Sequence, residues 1–470
     1  MMKYLTVVIS LFFFSMVFEG CFNREENIVK EIRIGLHNNN ELKIQLNVVT
    51  NSRADIYTEY WPDSSGINTK FTSSVSKDAL FHSLILCNII PQTKYFYHVI
   101  SVKDGKRNVG KTYSFTSPAL PLWLQDQFKA SDSLEILPKE FRNGFMLLNK
   151  RYAPGIAYIV DYKGRIRWYH MVAGVGFKVT HFTKDQTILS ILGTNDEPTS
   201  YGSQILEINL NGDTLLNLKK GQKDFIYTIH HEILKNSRHQ IVTIYEDKRA
   251  VDLSSIGGKK KDTVNGDGII VMDTTGKKIW QWSVFDVLDP LTDPNLPKNK
   301  KDWLHANSLN YDTDSNYIIS FYNTGQIWKI DSHTGKVIWK LGKGGTMKMS
   351  PDCNFTQSHA VHLNPYGNLM FFDNGVQNGQ SEVFALKLDE QNETSKVELH
   401  FKLPKEIFNS RMGSAYMVND TTILCCCSKR HILALVDRKG ILLWTLETAM
   451  PPYRAEYLKK EQLTPWLRPF

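Results

Sequence analysis

One hairpin pattern recurs along the larger, C-terminal part of the chain and limits the possible folds more than any other feature. In most copies an apolar strand ends at Asp or Asn, a glycine follows three or four residues later, and the next strand carries a tryptophan. Asp or Asn together with Gly forms the tight turns that join antiparallel strands. The six copies, one without the tryptophan and one degenerate, read AYIVDYKGRIRWYH, ILEINLNGDTLLNL, IIVMDTTGKKIWQW, IWKIDSHTGKVIWKL, VFALKLDEQNETSKVELHF and ILALVDRKGILLWTL.

A second pattern precedes most of these hairpins and adds two strands to each repeat. Each example begins with polar residues, passes through a turn and ends in an apolar strand: THFTKDQTILSIL, HHEILKNSRHQIVTIY, LHANSLNYDTDSNYIISFY, SHAVHLNPYGNLMFFDN and GSAYMVNDTTILCCC. Four-stranded units repeated six times predict a six-bladed β-propeller over residues 141–470. The tryptophan of each hairpin is then expected to pack between neighbouring blades.

Residues 28–118 predict a separate, smaller β-domain. The segment LILCNIIPQTKYFYHVISVKDGKRNVGKTYSFTSP contains short strands, one with alternating aromatic residues, separated by Pro and Gly turns. This pattern indicates a fibronectin III-like β-sandwich. Residues 119–140 are the predicted connector. The aromatic content of 11% and the recurrent turn residues agree with an all-β class.

Residues 1–21 are predicted to be an export signal. Lys3 precedes the apolar run YLTVVISLFFFSMVF, which is shorter than a comfortable bilayer span, and Gly20-Cys21 resembles the end of a bacterial lipoprotein signal. Phe18 and Glu19 differ from the small residues usual at that point, so plain secretion is the alternative. We therefore expect an exported protein, periplasmic or anchored to the outer membrane through a lipid on Cys21.

Charge and cysteine usage exclude two other classes. The net charge is +8, but the Lys and Arg residues are scattered and form no stripe, so we expect no nucleic-acid partner. Five cysteines remain after Cys21, so at least one is unpaired. Cys425 and Cys427 lie on one face of a predicted strand and are interpreted as small buried hydrophobic residues rather than a metal or redox site.

Histidines stand near the start of four consecutive repeats and are the strongest candidates for chemistry. The first strand of each propeller blade lines the central channel, so side chains at one register converge near the axis. We therefore expect four imidazoles to face one another there: His181, His231, His305 and His359. Only one of the adjacent residues His230 and His231 is expected to face inward, and the repeat register favours His231. His362 is expected at the surface or in the core, and His431 is expected to be structural.

The sequence offers little support for a metal, a cofactor or a serine nucleophile. Zinc-binding HExxH, G-x-S-x-G, phosphate-loop and dinucleotide patterns are absent, and Glu232 is predicted on the opposite face from His231. We expect no metal and no cofactor, with an imidazole-bound catalytic metal as the alternative. Histidines without metal or serine suit catalysis on an anionic group, in which one imidazole attacks while others bind the oxygens and protonate the leaving group.

The motifs around these histidines, taken together, resemble those of the bacterial arylsulfate sulfotransferases. The resemblance covers about Phe141 to Tyr457 and is carried by HHEI, WLHANSLNYD, SFYNTGQIWKIDSHTGKVIWKLG, QSHAVHLNPYGNLMFFDNG, GSAYMV and YRAEY. It implies an exported six-bladed propeller with a small N-terminal β-domain. It also implies transfer of a sulfuryl group from a phenolic sulfate ester to a phenolic acceptor, without a nucleotide sulfate donor.

The resemblance also assigns roles to single residues. His359 corresponds to the nucleophile that becomes transiently sulfated in a ping-pong cycle. His231 and His305 correspond to the pair that binds the sulfate oxygens and handles the leaving-group proton. The predicted substrate-binding residues are Asn307, Tyr322 and Arg454.

Tyr322 departs from the family pattern, which usually has an arginine there. Arginine would hold a sulfate with two parallel hydrogen bonds, whereas tyrosine offers one hydroxyl. This departure supports the alternative of a non-catalytic exported propeller that binds a glycan or an aromatic ligand. A quinoprotein-type dehydrogenase is a third hypothesis, because IDSHTGKVIWKLG resembles that repeat, although such rings usually have more blades. The N-terminal sandwich could also pair two copies of the chain.

Overall fold

The computed structural model describes residues 28–63, 70–132, 137–296, 299–464 and 466–467. These residues form an all-β fold, which confirms the predicted class. The chain divides into two compact units between Pro121 and Leu122. The predicted export signal and Cys21 lie outside the described residues.

The first unit contains six antiparallel strands in its described residues, organised around one long strand. The strands are β1 (Val29–His37), β2 (Asn40–Pro62), β3 (Phe71–Thr72), β4 (Ser76–Leu86), β5 (Lys94–Lys103) and β6 (Lys106–Thr116). The first half of β2 pairs with β1 and β4, its second half pairs with β3 and β5, and β6 pairs with β5. Both halves of β2 supply core residues, such as Leu46 and Tyr60, to one apolar cluster.

The second unit is longer and contains six antiparallel sheets in its described residues. Its elements in chain order are β7 (Phe128–Ala130), α1 (Lys139–Asn143), β8 (Phe145–Lys150), β9 (Gly155–Asp161), β10 (Ile166–Val172), β11 (Gly176–Phe182), β12 (Thr187–Gly193), β13 (Tyr201–Gly202), β14 (Gln204–Asn209), β15 (Thr214–Lys219), β16 (Ile229–Lys235), β17 (Ile241–Val251), β18 (Asp262–Met272), β19 (Lys278–Ser283), β20 (Ala306–Tyr311), β21 (Tyr317–Phe321), β22 (Gln326–Ile330), β23 (Val337–Gly342), β24 (Ser358–Leu363), β25 (Leu369–Asp373), β26 (Glu382–Asp389), β27 (Thr394–Lys402), β28 (Ser414–Met417), β29 (Thr422–Cys427), β30 (Ile432–Asp437), β31 (Leu442–Thr448), β32 (Glu456–Leu458) and α2 (Lys460–Leu463). Short 3-10 helices occupy Leu122–Leu124, Ser254–Ile256, Val284–Asp286, Lys405–Ile407 and Ser428–Arg430.

The six sheets follow one another along the chain, and their inner strands form a closed series of contacts. The sheet orders are β10-β9-β8-β32, β11-β12-β14-β15, β13-β16-β17-β18-β19, β20-β21-β22-β23, β24-β25-β26-β27 and β28-β29-β30-β31-β7. Strand β11 contacts β16, β16 contacts β20, β20 contacts β24, β24 contacts β28, and β28 contacts β32, which contacts β11 again. The first and last sheets are thus completed by strands from the opposite end of the unit, and β7 comes from the predicted connector.

The predicted Asp/Asn–Gly turns are present in the outer hairpins. In the first, the Asp161 carboxylate accepts backbone N–H bonds from Lys163 (3.0 Å) and Arg165 (3.1 Å). Gly164 completes that turn with φ 75°, a conformation that glycine adopts without steric cost. The indole N–H of Trp168 donates to the Leu210 carbonyl of the next sheet at 2.7 Å, so this tryptophan packs between neighbours as predicted.

The cysteines of the described residues are all buried and free, in agreement with their interpretation as buried side chains. Cys425 and Cys427 share one apolar cluster with Ala434. Cys426, between them, points to the other face, where its sulfur lies 3.4 Å from the Ser428 hydroxyl. The alternation along β29 therefore follows the period of an extended strand.

Candidate active site

Three of the predicted histidines meet where inner strands of neighbouring sheets begin. His231 lies in β16, His305 directly precedes β20, and His359 lies in β24. The ring centroids of His231 and His305 are 4.9 Å apart. The ring of Tyr322 lies 5.5 Å from His305 and 5.5 Å from His359. These four rings form a continuous row, which we call the imidazole row.

A local backbone feature directs the histidines to this point. His231 and His305 have left-handed backbone angles, with φ 61° and 60°, and Ala360 has φ 52°. The strand register shifts between His230 and Ile233 and again between His359 and His362. A left-handed non-glycine residue costs about 1–3 kcal/mol and is typical of functional sites. His231 and His305 are themselves the left-handed residues, whereas His359 stands one residue before the left-handed Ala360. His231 and His305 therefore share one position in their repeats, and His359 is offset by one residue.

The prediction that His181 joins the other three imidazoles is wrong. It lies near the end of β11 and contacts the Glu232 carboxylate, and its Nδ1 lies 3.6 Å from a Glu456 oxygen. Burial opposes a charge on His181, but Glu232 and Glu456 outweigh it and raise the pKa of the imidazole to about 9. The physical reason is register, because His181 stands beyond the bulge of its strand, where β11 faces Glu232.

The charge states of His305 and His359 are driven in opposite directions. Burial lowers the pKa of His305, but Asp302, with Oδ2 2.8 Å from Nδ1, and Asp267 outweigh burial and raise it. At His359 burial, then Arg454, then His305 all act together and lower the pKa to about 3. His305 therefore favours the protonated form, whereas His359 is neutral at neutral pH and has a nitrogen lone pair available.

His231 also belongs to a buried network that includes His230 and Asp267. Burial, followed by the charges of His305 and His230, holds the pKa of His231 well below its usual value. Its Nδ1 lies 2.8 Å from Nδ1 of His230, which stacks on Tyr201 with ring centroids 4.6 Å apart. One oxygen of Asp267 accepts the Ala306 N–H at 3.0 Å and the other lies 3.4 Å from Nε2 of His230. Burial raises the pKa of Asp267 to about 7.

Arg454 reaches the buried centre from the far end of the chain. Its guanidinium forms an ion pair with Glu232 and donates to the Asn307 carbonyl oxygen at 2.8 Å. Its charge acts directly on His359 and His231. Glu232 thus pairs with both Arg454 and His181.

Asn307 and Tyr322 contact protein groups rather than leaving their polar atoms free. The amide of Asn307 donates to the Ser358 carbonyl at 2.8 Å, and its oxygen accepts from the Ser320 hydroxyl. Asn307 therefore fixes the residue that precedes His359. The hydroxyl of Tyr322 donates to the Ser410 carbonyl at 3.2 Å. Its ring, and not its hydroxyl, therefore contacts His305 and His359.

Asp302, Asp267 and Asn374 are site residues that sequence reasoning missed. Asp302 carried a usable signal, because it stands three residues before His305 in DWLHAN. Asn374 neighbours His359 and donates to the carbonyls of Asn409 (2.7 Å) and Met412 (2.9 Å). No sequence pattern distinguishes Asp267 or Asn374 from ordinary turn residues.

The remaining histidines named by the sequence analysis have structural contacts. Nδ1 of His362 lies 2.9 Å from the Ala360 carbonyl, and its ring packs 4.7 Å from Tyr416. Nδ1 of His431 lies 3.3 Å from the Thr448 carbonyl. Within the described ranges, no group of three or more His, Cys, Asp or Glu side chains could hold a metal ion. No helix in the same ranges is long and apolar enough to cross a membrane.

Comparison with known proteins places this chain in a family. Residues 132–434 match the family model described as Arylsulfotransferase (ASST). The chain belongs to the arylsulfotransferase family, and this membership supports sulfuryl transfer in general and implies small phenolic substrates. No curated protein matches the chain.

Solved structures are similar to the chain only distantly. One is a protein of unknown function from Bacteroides caccae, with 11% identity and a TM-score of 0.42, in which 67% of this chain and 99% of that chain are covered. Another is virginiamycin B lyase from Staphylococcus aureus, with 10% identity and a TM-score of 0.31, in which 68% of this chain and 99% of that chain are covered.

Proposed function

We propose that the six sheets are the blades of a six-bladed β-propeller, preceded by a fibronectin III-like sandwich. The closed series of inner-strand contacts and the completion of the first sheet by β32 support the propeller. The division of β2 between two sets of partners around one core supports the sandwich. The imidazole row then lies at the centre of the propeller, where a substrate can approach the inner strands.

The proposed reaction moves a sulfuryl group from a phenolic sulfate ester to a phenol in two steps. In the first, the lone pair of His359 attacks sulfur, an N–S bond forms, and the bond from sulfur to the aryl oxygen breaks. The protonated His305 gives its proton to the departing phenolate. In the second, the acceptor phenol attacks sulfur and loses its proton to His305, and the N–S bond breaks to restore neutral His359. Both steps use acid–base chemistry that imidazole performs near neutral pH.

One observation carries this proposal: within one row, a carboxylate oxygen of Asp302 lies 2.8 Å from Nδ1 of His305, whereas the charge that acts most strongly on His359 is the cation of Arg454. A nucleophilic imidazole must be neutral, and a general acid must carry a proton. The buried Arg454 charge and the His305 charge favour the neutral form of His359, and both can stabilise negative charge on the sulfuryl oxygens. His231, which is also neutral, contributes an N–H donor to the same oxygens.

Tyr322 defines an aromatic wall in this proposal. Because its hydroxyl is engaged by Ser410, its ring face is what the row presents between His305 and His359. An aromatic donor or acceptor can pack on such a face. The cationic role of the family arginine passes in part to Arg454, which lies beside Asn307.

The proposal is tested with purified protein that lacks residues 1–21. Para-nitrophenyl sulfate serves as donor, release of the coloured phenol is followed with and without phenol as acceptor, and quenched samples are examined by mass spectrometry. We expect acceptor-dependent release and one labile SO3 group on the peptide that contains His359. His359→Ala should abolish both, whereas His362→Ala, on the same strand but packed on Tyr416, should retain both. Full activity of His359→Ala would contradict the proposed nucleophile.

The second candidate is a non-catalytic propeller that binds a glycan or aromatic ligand. Tyr322 in place of the family arginine favours it, because the usual sulfate clamp is missing. Binding of phenols with no release and no adduct across several sulfate esters would support this candidate. Restored release in Tyr322→Arg would then show that the clamp alone had been lost.

The proposed location is outside the cytoplasm, with the chain anchored by a lipid on Cys21. The sequence of residues 1–21 supports this, and mass analysis of the membrane fraction tests it by comparing the natural chain with Cys21→Ala. A soluble, unmodified natural chain would contradict the anchor. Pairing of two copies through the N-terminal sandwich is a further proposal, and sedimentation of a variant lacking that unit tests it.

A further inference from the structure

A pocket in the second unit, which we call the cationic pocket, lies beside the imidazole row and is lined by cationic side chains. Its volume is about 130 Å³. None of the three histidines of the row lines it, so it is distinct from the place where sulfur would be attacked. Its lining residues are Arg151, Tyr152, Thr199, Arg411, Met412, Lys429, His431 and Pro451.

Arg151 is a buried cation without an acidic partner among the described residues. It is 3% exposed, its Nη1 contacts the Met412 sulfur at 3.2 Å, and its Nε has no hydrogen-bond partner. A thioether sulfur is a weak acceptor, and an uncompensated buried charge is strongly unfavourable. Burial, together with the Arg411 charge, lowers the pKa of Arg151, while no carboxylate raises it. The Arg151 guanidinium also lies over the Tyr152 ring, 6.0 Å from its centroid. The fold therefore keeps a buried guanidinium whose protein contacts include the Met412 sulfur and this ring but no carboxylate of the described residues.

Two more cations face the same pocket. Arg411 and Lys429 are exposed, and neither side chain has an ion pair within the described ranges. Among the described residues, no Asp or Glu lines the pocket. Two guanidinium groups and an ammonium group around one concavity provide the charge and the donors that carboxylate, sulfate and phosphate groups require.

Direct contacts connect this pocket to the imidazole row. The Tyr322 hydroxyl donates to the carbonyl of Ser410, the residue before Arg411. Asn374, the neighbour of His359, donates to the Met412 carbonyl at 2.9 Å. Met412 also packs in one apolar cluster with Tyr453, whose ring lies 6.0 Å from that of His231.

We propose that this pocket binds a second anionic group of the aromatic donor or acceptor, a carboxylate, sulfate or phosphate separate from the sulfuryl group that is transferred. The inference rests on the proposed function, because it names the class of phenol that the site would take. Arg151 supplies buried donors at the base of the pocket, and Arg411 and Lys429 attract the anion from solvent. The preferred substrates are then phenols that carry an acidic substituent.

The test measures binding directly, without turnover. Calorimetry compares para-hydroxybenzoate and para-hydroxyphenylpropionate, two phenolic acids of different reach, with their methyl esters. We expect at least one acid to bind more tightly than its ester, and the double variant Arg411→Gln, Lys429→Gln to lose that preference by about tenfold or more. Arg438→Gln is the matched control, because that exposed guanidinium donates to the carbonyls of Asp420 and Glu398 outside the pocket. Equal binding of acids and esters, or an equal loss in the control, would overturn the proposal.

Two further measurements separate the pocket from the proposed function and from folding. If para-nitrophenyl sulfate is turned over while acids and esters bind alike, the pocket proposal fails and the sulfotransferase proposal stands. If acids are preferred but no sulfate ester is turned over, the pocket still binds an anionic group and the sulfotransferase proposal fails. Arg151→Met fills the same space without charge, so we expect a higher melting temperature and weaker binding of the acid. A lower melting temperature would show that Arg151 serves the fold.

Discussion

The charge of His305 depends on Asp302, and replacing this carboxylate with an amide gives a quantitative test of the site. The Asp302 oxygen lies 2.8 Å from Nδ1 of His305, and the carboxylate is 36% exposed. A hydrogen bond to a charged group is worth about 1.5–3 kcal/mol, and partial exposure reduces this to roughly 1–2 kcal/mol. Asp302→Asn should therefore lower the pKa of His305 and destabilise its protonated form by about that amount of free energy.

The sign of the effect follows from the direction of the shift. Asp302 raises the pKa of His305, so the protonated general acid persists to higher pH in the natural chain. Without the carboxylate, the alkaline limb of kcat/KM for sulfate esters should move to lower pH. The loss on that limb should approach tenfold for phenyl sulfate and be smaller for para-nitrophenyl sulfate, whose phenolate needs less protonation. The assay is the pH dependence of both donors, with Asp314→Asn, an exposed turn residue of the same sheet, as control. An unchanged alkaline limb, or equal losses for both donors, would refute the assignment of His305 as general acid.

Three further predictions concern the residues around the row. Glu232→Gln leaves the buried Arg454 charge unpaired, so we expect a loss of about 3–5 kcal/mol in the free energy of unfolding, measured with urea; a loss below about 1 kcal/mol would contradict the buried pair. The His181–Glu232 pair should stabilise the fold fully below pH 6.5 and lose its contribution as pH rises through about 9, because the pKa of His181 is raised from 6.5 to about 9. Melting temperature as a function of pH measures this loss, which should be absent in His181→Gln. Tyr322→Phe removes the bond to Ser410 but keeps the ring, so kcat/KM should change less than threefold, about 0.7 kcal/mol, whereas Tyr322→Ala should lose about tenfold or more. Equal losses in the two variants would show that the hydroxyl carries the effect.

Much of this fold could be predicted because its signals are local. The turn at Asp161 and Gly164 is specified by residues three positions apart, and the side-chain bonds that close it are made within the same turn. Such patterns repeat with each hairpin, so a count of them predicts the number of sheets. The completion of the first sheet by Glu456–Leu458 has no local signal, because the pairing of that strand with β8 joins distant parts of the chain.

The same distinction explains what could be predicted of the site. His231, His305 and His359 stand in recognisable motifs near the start of inner strands, and the structure brings them together. His181 was misplaced because counting residues to a strand does not reveal how far along that strand a side chain lies. The pairing of Arg454 with Glu232 spans 222 positions, so no spacing rule reaches it. Arg151 and Met412, which contact each other in the cationic pocket, are 261 positions apart.

The arrangement of charge around the row gives a physical reason for these distant pairings. A buried guanidinium is tolerated when a carboxylate compensates it, and Glu232 does this for Arg454. Burial, together with the Arg454 charge, lowers the pKa of His231 and of His359, so both imidazoles remain neutral. His305 alone has its own carboxylates, Asp302 and Asp267, among the three histidines of the row, and it alone favours the proton. The imidazole beside a carboxylate therefore acts as the acid, and the imidazole without one acts as the nucleophile. Moving the carboxylate from His305 to His359 would be expected to exchange the two roles.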